Sequence, residues 1–83
     1  MTLADLLHNA ACIASEVNSS HVAAALHSAC SESAVEYPSA VAFMSSLGFE
    51  PLNAYAFNSV TDPAGAAFDA LTLASLVAED LGV

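Results

Sequence analysis

The chain contains no lysine and no arginine, set against nine aspartates and glutamates. Its formal charge at pH 7 is therefore −9, and three histidines are the only side chains that can become cationic near neutrality. Binding to DNA or RNA rests on lysine and arginine neutralising phosphates and releasing their counterions, so nucleic acid is excluded as a partner. The same absence leaves no positive flank to orient a membrane span or to hold anionic lipid.

Long apolar runs are missing as well. A spanning helix needs about 18 consecutive apolar residues. A charge-free stretch such as Tyr37 to Phe49 is interrupted by Pro38, Ser39, Ser45, Ser46 and Gly48. Met1-Thr2-Leu3-Ala4-Asp5 has none of the basic residues that open a secretory signal. A soluble, cytoplasmic protein without membrane association is the expectation. No glycine-rich phosphate loop, cofactor motif or catalytic signature occurs, and serine is so common that its coincidence with histidine and aspartate carries no information. Neither enzymatic activity nor a cofactor is expected.

What is present is small and apolar. Of the 83 residues, 57% are hydrophobic and only 11% charged, and the mean hydropathy is +0.62. Much of that comes from alanine, which buries little area per residue, so the core is smaller than the percentage suggests. One domain over residues 1–83 is expected. A core of this size is marginal, so a disulfide, a metal or self-association would be a natural supplement.

The apolar residues recur at the helical period. Leu3, Leu7, Ala10, Ala14 and Val17 form one stripe, widened by Leu6 and Ile13. Thr2 and Asp5 have the spacing of a capping box. Asn18-Ser19-Ser20 stops this helix and offers a cap for a second, from about His21 to Glu36, with Val22, Leu26, Ala29, Cys30 and Ser33 on one face. Tyr37-Pro38 ends that helix and opens a third, carrying Val41, Phe43, Met44 and Leu47, with Gly48 as its C-terminal cap and Phe49 as the accompanying apolar contact. Leu52, Tyr55, Ala56 and Ser59 fit a short fourth helix, although the alternation there would also suit a strand. Thr61-Asp62-Pro63 starts a last helix using Phe68, Leu71, Leu73, Leu76, Val77 and Leu81, and ending at Gly82. That helix is apolar around much of its girth and is either the central helix or half of a dimer interface. The fold class is thus all-α: a single small domain of about five short helices in a compact antiparallel bundle or orthogonal array.

Two constellations carry potential chemistry. His8 and Cys12 are four apart and His27 and Cys30 three apart, so a hairpin of the first two helices could gather all four as a tetrahedral zinc site. The alternatives are a Cys12–Cys30 disulfide and two reduced, buried cysteines. The second constellation is acidic. Glu32 and Glu36 repel mildly at a four-residue step, and Glu79 and Asp80 sit at the helix end that disfavours anions. These four carboxylates are either a solubilising surface or contacts for cations on a partner.

Three functions follow. The first is a small acidic protein-interaction module, an inhibitor or decoy that binds a basic surface of a partner protein through Glu32, Glu36, Glu79 and Asp80. The second is a self-associating, homodimeric assembly domain. The third is a metal-binding domain on His8, Cys12, His27 and Cys30. With no internal cations the fold must rest on caps and apolar packing rather than ion pairs, and relief of repulsion should tighten it in acid.

Overall fold

The computed structural model describes residues 1–17, 21–49 and 63–83. Among these residues there are four helices and no strand: α1 (Leu3–Glu16), α2 (Val22–Cys30), α3 (Tyr37–Ser46) and α4 (Pro63–Leu81). The architecture is all-α. The short helix expected around Leu52, Tyr55, Ala56 and Ser59, and the Thr61-Asp62 cap, lie outside the described residues.

α1 starts with a complete capping box. The Thr2 hydroxyl accepts from the Asp5 N–H at 3.2 Å, and the Asp5 carboxylate accepts from the Thr2 N–H at 3.2 Å. Both bonds satisfy donors that a helix start otherwise leaves to water. The helix stops at Glu16, so Val17 leaves the expected stripe and is 65% exposed.

α2 is shorter than the sequence pattern implies. Its cap position falls on His21, and it ends at Cys30 rather than near Glu36. Serine chemistry explains the early stop. The Ser31 hydroxyl donates to the Ser28 carbonyl at 2.7 Å, and the Ser33 hydroxyl accepts from the Val35 N–H at 3.1 Å. Meanwhile Glu32 and Ser33 donate to carbonyls only three residues back. Such local bonds compete with the helical ladder and unwind it. Glu32 therefore lies in a turn and Glu36 at the N-cap of α3, so the two do not share a helix face as the sequence suggested.

α3 and α4 end alike. Gly48 has φ +88° and Gly82 φ +77°. Phe49 N–H donates to Met44 at 3.1 Å and Gly48 N–H to Ser45 at 3.0 Å; Val83 N–H donates to Ala78 at 2.9 Å and Gly82 N–H to Glu79 at 3.1 Å. Each pair is a Schellman motif that satisfies carbonyls of the last turn. The half-buried Phe49 packs on the core, as its position beyond Gly48 implied. The Val83 carbonyl then accepts the N–H of Ala4 at 3.2 Å, joining the end of α4 to the first turn of α1.

α1 is the central helix. It packs most extensively on α4, which runs antiparallel to it, and next on α2, while α3 packs on α2. Among the described residues, ten of the sixteen buried hydrophobic ones are alanine. Small side chains are buried on both helices of the α1–α4 pair, Ala10, Ala11 and Ala14 on one and Ala67, Ala70, Ala74 and Ala78 on the other. The largest fully buried side chains are Leu6, Leu7, Val22, Leu26, Met44 and Leu71. Among the described residues no helix is long and apolar enough to cross a membrane.

Candidate interaction surface

The expectation that α4 might be central fails, and its packing shows why. Turned at about 100° per residue, its small residues Ala67, Ala70, Ala74, Ser75 and Ala78 share one face with Leu71, and that face is buried. Of the six residues expected in the α4 core, only Leu71 is there. Leu73 and Leu76 point the other way and are 53% and 57% exposed, with Leu81 at 64% and Phe68 at the margin. Asp69 and Asp80 lie on the same outward sector as the two leucines, one at each end, and both are exposed. The outer face of α4 therefore reads acid, leucine, leucine, acid. Covering two half-exposed leucines is worth about 1 kcal/mol each in transfer free energy.

Next to this face lies an open groove of about 640 Å³, formed where the first turn of α1 meets the last turns of α4. Thr2, Asp5 and His8 line its α1 wall; Thr72, Leu76 and Glu79 line its α4 wall. Leu76 belongs to both groove and outer face. The Thr2 backbone N–H, and secondarily the Thr2 hydroxyl, hold the Asp5 carboxyl below its usual value. Ser75, almost fully buried, donates its hydroxyl to the Thr72 carbonyl at 2.7 Å and so leaves no unmet donor at the groove floor.

The His/Cys residues fall into separate arrangements. His8 Nε2 lies 3.9 Å from Cys12 Sγ on α1. His27 instead stacks on Tyr37, ring centroids 3.9 Å apart and planes 16° from parallel, which pins the end of α2 to the start of α3. Cys12 and Cys30 are both free and partly buried, and burial pushes the Cys30 thiol up. No group of three or more metal-ligating side chains that could hold an ion occurs among the described residues.

The acidic residues proposed from sequence are likewise dispersed over three elements. Glu32 is in the α2–α3 turn, Glu36 stands at the N-cap position of α3 without a side-chain capping bond, and Glu79 and Asp80 are in the last turn of α4. All four are exposed. Only Glu79 and Asp80 adjoin the leucine face. Sequence reading missed the inversion on α4, in which leucines are outside and alanines inside. The signal was there in the small-residue steps Ala67, Ala70, Ala74 and Ala78, which mark the close-packed side.

Comparison of the chain with protein-family models, with curated proteins and with solved structures finds no match, so the surface is read from its own chemistry.

Proposed function

We propose that this protein is a small acidic interaction module that docks the outer face of α4 onto an apolar patch edged by lysine or arginine on a partner protein. The observation that carries this reading is the exposed pair Leu73 and Leu76 bracketed by Asp69 and Asp80. Apolar contact at the centre of such a surface gives affinity, and charge at its rim gives association rate and selectivity.

Self-association through the same leucines is the second reading, and charge weighs against it. A two-fold axis that sets Leu73 against Leu76 of a second copy also sets Asp69 against Asp80. A parallel pairing sets each aspartate against itself. The chain has no lysine or arginine to relieve either contact, so a partner that brings cations fits better than another copy. The remaining carboxylates, Glu32 and Glu36 among them, keep the module soluble and strengthen its field.

Affinity capture from the native host with the wild-type protein and a Leu73→Ser/Leu76→Ser variant tests the reading, with proteolysis by an enzyme other than trypsin because the chain has no tryptic site. The expected result is a basic partner lost with the variant and released by salt. A partner retained equally by the variant, or bound as tightly at high as at low salt, overturns the proposal. Sedimentation separates the second reading, which requires a dimer that strengthens as pH falls toward the pI of about 4.1.

A further inference from the structure

We infer that the groove between α1 and α4 seats a guanidinium side chain of the partner that covers the outer face of α4. The inference rests on the interaction-module reading and adds a specific anchor to it. Position is the first ground. Leu76 lines the groove and also belongs to the exposed leucine pair, so a helix lying on Leu73 and Leu76 passes over the groove mouth and can lower a long side chain into it.

Chemistry is the second ground. Carboxylates stand on opposite walls, Asp5 from α1 and Glu79 from α4, with the hydroxyls of Thr2 and Thr72 beside them. Asp5 uses one oxygen, Oδ2, in the capping box, which fixes the carboxylate and leaves its other oxygen available. The Leu76 flank is apolar and suits the methylene stem of the entering residue. Arginine fits better than lysine because its planar fork presents five donors and can address both walls at once. Val83, with its terminal carboxylate, also lines the groove; the other ionisable groups in reach are His8, on the α1 wall, and the Met1 amino group, which exerts a small pull on Asp5. Neither supplies a fork of donors that would span the two walls.

The test uses three acetylated and amidated helical peptides that share a Leu-x-x-Leu pair. Four residues beyond it they carry arginine, lysine or the uncharged isostere citrulline. Binding is followed on the whole 83-residue chain through backbone amide shifts. Asp69, Leu73 and Val77 report the outer face; Asp5, Thr72 and Gly82 report the groove. The arginine peptide is expected to shift both sets and to bind about five- to tenfold more tightly than the citrulline peptide at low salt, with lysine between them. Glu79→Gln, an exposed substitution, should remove most of the arginine advantage, so that the arginine and citrulline peptides bind about equally. Equal affinities for arginine and citrulline, or an arginine advantage that survives Glu79→Gln, overturn the groove anchor even where the outer-face amides still shift, and in that case the module reading stands. Peptides that shift neither set overturn both.

Discussion

α1 and α4 are both alanine-rich helices with leucines at helical spacing, yet they use side-chain size in opposite ways. In α1 the large residues Leu6 and Leu7 are fully buried and the exposed face is polar. In α4 Ala67, Ala70, Ala74 and Ala78 are buried and Leu73, Leu76 and Leu81 face solvent. The difference follows from position. α1 is packed on two sides, by α4 and α2, and needs volume to fill the space between them. Among the described elements α4 packs chiefly against α1, through small residues, and Leu73, Leu76 and Leu81 face solvent. Hydrophobic periodicity reports that a face is apolar; side-chain size reports whether that face is packed tightly.

The sharpest way to break the comparison is to delete equal volumes from the two helices. Leu7→Ala on α1 should cost about 2–5 kcal/mol, because it leaves a cavity in the core. Leu73→Ala on α4 should stay within about 0.5 kcal/mol, as for an ordinary surface site. Urea denaturation of the two variants measures both, and equal losses would mean that the α4 leucines are core residues after all. The reverse change is the next largest. Ala74→Leu forces four heavy-atom positions' worth of side chain between α1 and α4 where only a methyl fits, and should cost about 1–3 kcal/mol by overpacking; a neutral result would show that the two helices have slack between them.

The two capped ends that meet at the groove come next. Gly82 has open space around the position a Cβ would occupy, so Gly82→Ala pays only for the left-handed backbone, about 1–2 kcal/mol. Thr2→Ala removes one half of the capping box and should lower stability by about 1 kcal/mol in the same assay.

The smallest effect is a pH dependence. Asp5 has a carboxyl lowered from 3.8 in the folded state by its bonds to Thr2, so its stabilisation is fully present above that value. It is lost as pH falls through the lower, folded value. Relief of repulsion among the other carboxylates acts in the opposite sense over the range above. Thermal melts should therefore rise or hold as pH approaches the pI and fall below it. Asp5→Asn should flatten the acid limb, and an unchanged limb would remove Asp5 as its source.

Much of the fold was legible in the residues, and the exceptions are physical. The Thr2/Asp5 box, Pro38 in the first turn of α3, and Gly48 and Gly82 as caps could be read directly because each is a local backbone requirement met within a few residues. The end of α2 was not, because Val22 through Glu36 keeps an apolar period while Ser28, Ser31 and Ser33 divert the backbone. That loss dissolved the Glu32/Glu36 pair. The surface on α4 was half legible: its apolar girth raised the question of an interface, but only packing decides which of two apolar faces is inside. The groove was not legible at all, since Asp5 and Glu79 are brought together by the antiparallel pairing of α1 with α4 and by no sequence spacing.

The bond from Ala4 to Val83 has a practical consequence for handling the molecule. It brings the two ends of the described chain side by side at the mouth of the groove. Any affinity tag, fluorophore or fusion attached at either end will shade the surface whose binding it is meant to report. The same adjacency makes the chain a candidate for circular permutation: a short linker from Val83 to Met1 closes a small loop at little entropic cost. New ends opened in the exposed turn at Glu32 would take the labels off Met1 and Val83.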